Sequence, residues 1–176
     1  IEAAKKADGK MNYGSAGNGS SHHLAGELFN ALAGVKISHI PYKGAGPALT
    51  DLMGGQIDVM FDGMGSSAGH IKGGRIKASD KRAPGFPNIP TAAESGVNYK
   101  VSTWYGLWAP KGTPPDIIAK MQAELKKAYN SDELKTIWNG LGAEVPDVYG
   151  DAFGKFVNAE IKRWAEVAKS SGARLD

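Results

Sequence analysis

The sequence has no cysteine. Disulfides and thiolate chemistry are therefore excluded, while the redox compartment stays open. It has no apolar run near the roughly 20 residues that a membrane-crossing helix needs. It has little excess charge: 21 Lys and Arg against 18 Asp and Glu give a net +3, spread along the chain. That surplus favours small anions over nucleic acid, which calls for a dense basic stripe. Internal repeats and low-complexity segments are absent. So is a signal peptide, and the chain starts at Ile1 rather than Met. We read it as a processed or truncated chain, so the missing leader says little about where it is made.

Several catalytic and cofactor motifs are missing too. Gly14, Gly17 and Gly19 read G-x-x-G-x-G, which is not dinucleotide spacing, and no acidic residue closes a strand near position 39. A Walker loop would need Gly-Lys-Ser/Thr where Ser-His-His stands. His22 and His23 are neighbours, about 100° apart on a helix, and cannot chelate one ion as an i, i+4 pair could. His39 and His70 lie elsewhere and there is no HExxH, so no metal is expected. No GxSxG marks an activated serine. No cofactor is called for.

What remains is an apolar content of 41%, enough for a core, and a regular alternation of strand and helix patterns. Residues 1–8 read as a helix ended by Asp8-Gly9. MNYGS (11–15) is a strand candidate. A helix runs from Ser20 or Ser21 to Ala33, with Leu24, Leu28 and Leu32 on one face and Gly34 as its stop. VKISHIPY (35–42) is a β-branched strand. A short helix then runs from Pro47, in its first turn, to Gly54-Gly55. IDVMFD (57–62) is a third strand, followed by the helix SSAGHIKGG. This order predicts α/β architecture, a mainly parallel sheet flanked by helices.

RAPGFPNIP (82–90) has three prolines in nine residues and reads as an extended surface connection. VSTWYGLWAP (101–110) is the next strand candidate; on a strand, Trp104 and Trp108 share a face, as core packing or as an aromatic wall over a ligand. The rest is helical. Residues 116–130 carry apolar side chains at 117, 118, 121, 125 and 128. Residues 131–142 have Ser131 as N-cap and Glu133 in the first turn. The last helix, 150–170, carries a stripe of Phe153, Phe156, Ile161, Trp164 and Val167.

Chemistry concentrates in three loops. GSAGNGSS lies between a strand and a helix, where bare backbone and unpaired first-turn amides can hold an anion, above all a carboxylate. The alternative is an ordinary serine-capped turn. Tyr42-Lys43-Gly44 follows the second strand and Asp62 ends the third. Loops after parallel strands converge on one crevice. Asp62 reads equally as a helix or turn cap. One of the two adjacent histidines is placed near the loop, the other packed or solvated.

YGSAGNGSSHHLAGELF (13–29), HIPYKGAGPALTDLMGGQIDVMFD (39–62), DKRAPGFPNIPTAAESG (80–96) and STWYGLWAPKGTPPDIIAKM (102–121) together resemble the Bug/TctC-type periplasmic solute-binding proteins of tripartite tricarboxylate transporters. The resemblance covers nearly the whole chain. It implies a type II periplasmic-binding-protein fold, two lobes closing over a small organic anion, with the first lobe incomplete. Residues 1–9 would end a helix from an absent N-terminal part. Residues 10–103 would form the second α/β lobe. Residues 104–176 would be a crossover strand and helices of the first lobe. A carboxylate would rest on Ser15, Ala16, Gly17, Asn18, Ser20 and Ser21, with Tyr42, Lys43, Gly44 and Asp62 lining the cleft. Relatives carry an apolar strand where Lys77-Ala78 here runs straight into Ser79-Asp80, so a strand is lost or residues are missing.

The expected function is a non-enzymatic periplasmic receptor that hands a carboxylate to membrane permease subunits, without nucleic-acid partners. A truncated chain would need a second chain to complete its cleft. Two other classes compete: a hydrolase using Ser20 or Ser21 with a nearby histidine, and a sensory or interaction fragment.

Overall fold

The computed structural model describes residues 1–76, 94, 96–144 and 148–173. Along the chain run α1 (Glu2–Ala7), β1 (Asn12–Ser15), α2 (Ser21–Ala33), β2 (Ser38–Pro41), α3 (Ala45–Met53), β3 (Val59–Met60), α4 (Met64–Lys72), α5 (Pro115–Asn130), α6 (Asp132–Leu141) and α7 (Gly150–Ser171). The described strands form one sheet in the order β2-β1-β3, all parallel. The α/β architecture with a parallel sheet is as expected. The Pro-rich segment 82–90 and the junction at Ala78-Ser79 lie outside the described residues.

Alternation along β1 divides the core into two faces, because successive strand residues point to opposite sides. Tyr13 turns to the α2 face and is fully buried. Its hydroxyl donates to Glu27 Oε1 at 2.7 Å and lies 3.1 Å from the His23 carbonyl. Phe61 meets its ring edge-on at 5.5 Å, and Phe29 and Tyr99 continue the aromatic cluster. Gly14 turns the other way: a Cβ there would lie 2.4 Å from Ile57 and 3.4 Å from Ala48. Buried Ala48, Leu49 and Ile57 fill that side.

The leucine stripe of α2 does not face the sheet. The buried positions of α2 are His23, Ala25 and Gly26, and Leu32 is half exposed. The reason is close approach. A Cβ on Gly26 would sit 2.3 Å from the Tyr13 ring, so the helix meets the sheet through its smallest residues. Leu28 and Leu32 instead line a groove with Val167 of α7, Lys100 and Arg163.

VSTWYGLWAP is not a strand: among the described residues none of 101–110 joins a ladder. Its β-forming side chains find a helix rather than a strand to pack on. Trp104 packs edge-on against Phe153 and Phe156 of α7, Trp108 against Phe153, and the two indoles lie 6.4 Å apart. Trp104 Nε1 donates to Glu160 Oε2 at 3.3 Å, and Arg163 donates to the Lys100 carbonyl. The α7 stripe is also shifted. Ile161 is 61% exposed, and the inward positions include Phe153, Val157, Glu160, Trp164 and the buried Val167.

Candidate functional site

A parallel sheet with βα turns places every strand's carboxyl end, and every following helix's amino end, on one edge. Here that edge gathers Ser15 to Ser21 after β1, Tyr42 to Gly44 after β2, and Phe61 to Gly63 after β3. The three segments touch. Tyr42 N donates to the Ser15 carbonyl at 3.1 Å, and a Cβ on Gly17 would lie 3.3 Å from the Tyr42 carbonyl oxygen. His22 Nε2 of α2 lies 3.1 Å from Asp62 Oδ1. Helices α2, α3 and α4 therefore all start on this edge, and the positive ends of their dipoles favour negative charge there. Neither α3 nor α4 has a side-chain cap bond at its first turn.

The GSAGNGSS loop is shaped from inside. Ser15 has no exposed surface, and its Oγ accepts the Gly17 amide at 3.0 Å. The same Oγ lies 3.1 Å from the Gly17 carbonyl and 2.6 Å from His39 Nε2. Gly17 and Gly19 take φ of 126° and 71°, values that side chains with a Cβ rarely adopt, so the loop needs glycine at both. Ser20 caps α2 by accepting the His23 amide at 3.2 Å, and its hydroxyl keeps one proton to donate outward. The serine cap and the anion cradle are thus compatible readings of one residue. Ser21 is exposed, Ala16, Gly17 and Asn18 are half-buried, and Asn18 has a polar partner.

The second and third segments differ in what they offer. The Tyr42 hydroxyl points back to α3 and donates to Asp51 Oδ2 at 2.8 Å. Burial and the Asp51 carboxylate both push that phenol upward from its ordinary pKa. Lys43 is exposed beside it, and Gly44 caps α3 at φ 112°. Asp62 is buried. Burial alone would raise its pKa, but His22, the Ser66 hydroxyl at 2.7 Å and the Gly63 backbone outweigh it and hold the carboxyl below its usual range. It remains an anion that faces His22 and the α4 N-terminus.

One histidine partner of the loop, His39, is not foreseen from the sequence, whereas one of the adjacent pair His22-His23 is. His39 of β2 stands in register with Tyr13 and on the face of Ser15, which strand alternation carries in principle once the register is known. Its ring stacks on His23 at 3.8 Å and 7°. Burial first, and the His23 charge second, push the His39 pKa down to about 4. His22 pairs with Asp62, while His23, the histidine near the loop, accepts the Gly19 amide on Nδ1 at 3.0 Å. His23 Nδ1 and His22 Nε2 are thus turned to the backbone and to a carboxylate.

Fold and edge define the class first: an α/β unit of periplasmic-binding-protein type, with its loops and helix N-termini gathered on one edge. The family described as tripartite tricarboxylate transporter family receptor, TctC, matches residues 1–173, and the chain belongs to it. It is 35% identical to Protein BugT of Bordetella pertussis over 99% of this chain and 55% of BugT. A structure described as an R. palustris protein with adipate superposes at a TM-score of 0.86 and 33% identity, over 98% of this chain and 59% of that one. MatC from Rhodopseudomonas palustris with bound malate gives 0.80 and 33%, over 94% and 59%. The chain spans about half the length of the curated relatives it matches.

Proposed function

We propose that this chain supplies the carboxylate-holding wall of a periplasmic solute receptor. It captures a small organic anion at the edge of its sheet and delivers it to the permease of a tripartite tricarboxylate transporter. The observation that carries this reading is the convergence of three loops and three helix N-termini on that edge. Similar proteins solved with adipate and with malate support a carboxylate as the ligand class. In this reading the backbone amides and hydroxyls of Ala16, Gly17, Asn18, Ser20 and Ser21 hold one carboxylate, and Ser15 shapes the loop beneath them. Tyr42, Lys43, Gly44 and Asp62 line the adjoining wall. Residues 10–103 form one lobe, and 104–176 supply the crossover and helices of the other, so that closure of the lobes is what the permease recognises. The receptor has no catalytic role: its serines and histidines hold backbone and ligand rather than activate a nucleophile.

Isothermal titration of the protein with a panel of mono- and dicarboxylates, adipate and malate included, tests the proposal. Saturable binding that weakens when Ser20 and Ser21 are both changed to Ala is the expected result. No heat and no thermal shift with any carboxylate would sink it. Turnover of simple esters that disappears in either serine variant would instead favour a hydrolase.

A further inference from the structure

The two stacked histidines beneath the loop have a fixed electrical requirement. A backbone N–H can only donate, so the 3.0 Å contact from the Gly19 amide makes His23 Nδ1 a lone-pair acceptor. His23 is therefore neutral, with its proton on Nε2. His39 lies face to face with it at 3.8 Å and holds the other end of the loop through Ser15. Ser15 in turn holds the Gly17 amide. Two loop amides, those of Gly17 and Gly19, are thus fastened through one pair of rings. Both histidines lie between β1, β2 and α2, and His23 is only 8% exposed.

We propose that His23 and His39 are positioning residues that hold the Ser15–Ser20 loop in its ligand-binding shape only while both rings are neutral, so that protonation releases the loop. A proton on His23 Nδ1 would face the Gly19 N–H, donor against donor, and that bond would break. A second charge at 3.8 Å would add like-charge repulsion in a buried place.

The surrounding groups are neutral except for two carboxylates, each already engaged elsewhere. From β1 come Tyr13 and Ser15, both neutral. From α2 come His23 itself and Glu27, whose Oε1 accepts the Tyr13 hydroxyl, while His22 is turned to Asp62 at the end of β3. Phe61 packs on Tyr13, and the Tyr99 hydroxyl donates to the Ala25 carbonyl. Were both rings protonated, the His23 charge would disfavour the proton on His39.

The inference extends the binding reading above, and the test separates the two. In the ligand-free protein, the Gly17 and Gly19 amide signals are followed by NMR from pH 7 to pH 4. The expected result is a cooperative shift of both and exchange at Gly19 faster by more than tenfold, with the remaining helices still protected. Unchanged Gly19 shift and exchange across that range would overturn the proposal, whether or not the protein binds any carboxylate. Two variants separate positioning from packing. His23→Phe keeps an aromatic ring in the stack but cannot accept the amide, so Gly19 exchanges quickly already at pH 7. His23→Asn places an oxygen where Nδ1 stands and does not titrate, so Gly19 stays protected and its pH response flattens. If His23→Phe leaves Gly19 as protected as in the unaltered protein, the ring only packs and the proposal fails. Adipate and malate titrations on the same proteins, at pH 7 where both ligands stay ionised, should follow the amide order. If the unaltered protein binds neither, the receptor reading fails while the amide data still decide the positioning role.

Discussion

Gly26 and Tyr13 set how closely α2 meets the sheet. A methyl at Gly26 would stand 2.3 Å from Cε2 and 2.5 Å from Cζ of a ring with no exposed surface. Replacing glycine by alanine in a helix gains about 1 kcal/mol, whereas forcing a buried ring aside costs about 1–3 kcal/mol. Gly26→Ala should therefore destabilise by up to about 2 kcal/mol, seen as a lower urea midpoint at unchanged slope. A gain in stability would mean that the ring can move. Acid should act through two side chains at the same edge of the sheet. The His39 pKa is pushed down to about 4 in the fold against an ordinary 6.5. Between those values the unfolded chain takes up the proton and the folded one does not. Stability is thus full above pH 6.5 and falls as pH drops towards 4. Asp62, held below its ordinary value, adds a second loss further into acid. Urea midpoints at pH 7, 5.5 and 4 should fall in that order, and His39→Gln should flatten the upper part of the curve. Neither effect is legible from residue type. A histidine in a strand and a glycine in a helix gain meaning only from what stands opposite, which the register of β1 on β2 decides for one and the packing of α2 on Tyr13 for the other.

Elements were the most legible scale. Starts and stops carry their own chemistry: Ser20 and Gly34 bound α2, and Ser131 and Gly142 bound α6, with the cap residues where the sequence places them. Ser131 Oγ accepts the Leu134 amide at 3.3 Å in an exposed turn that also carries Asp132 and Glu133. Ser131→Ala should cost about 1 kcal/mol, while Ser131→Asp should be neutral or slightly stabilising. Thermal melts followed by circular dichroism would check both, and an unaffected alanine variant would show that the acidic first turn alone suffices. The strand candidate at 101–110 failed because composition does not distinguish a side chain that fits a pleated sheet from one that fits a helix surface. The aromatic and branched residues are there, and α7 is what they meet. In α5 the apolar positions sit on a helix as expected. Yet Ile117 is 46% and Met121 51% exposed, since periodicity names a face without naming what covers it.

At the scale of the whole molecule, the open matter is how the helical half is held to the sheet half. Three kinds of contact do it. Leu28 and Leu32 of α2 face Val167 of α7 across a groove. Lys72 of α4 donates its ammonium to the Gly140 carbonyl near the end of α6, where the helix dipole favours a cation. The segment between the halves is also fastened through one carboxylate of α7. Glu160 Oε2 accepts the Trp104 indole at 3.3 Å and the Trp164 indole at 3.1 Å, and Oε1 lies 3.5 Å from Arg163. Glu160 is 15% exposed, so these bonds are shielded, and hydrogen bonds to a charged partner contribute about 1.5–3 kcal/mol each. Arg163 also donates to the Lys100 carbonyl. Removing the carboxylate would leave two indole N–H groups to find water and would free the arginine. Glu160→Ala should therefore destabilise by about 2–3 kcal/mol and shift tryptophan emission to the red as Trp104 gains solvent. Glu160→Gln keeps one acceptor oxygen and should recover part of both. Because the fastened stretch precedes the helices proposed to move on closure, the alanine variant should also bind a carboxylate more weakly at pH 7. The site edge itself would be untouched, so the Gly17 and Gly19 amide signals should stay as they are. Weaker binding with unchanged loop amides would place the effect in the connection between the halves, whereas altered loop amides would mean that the two halves do not move as units.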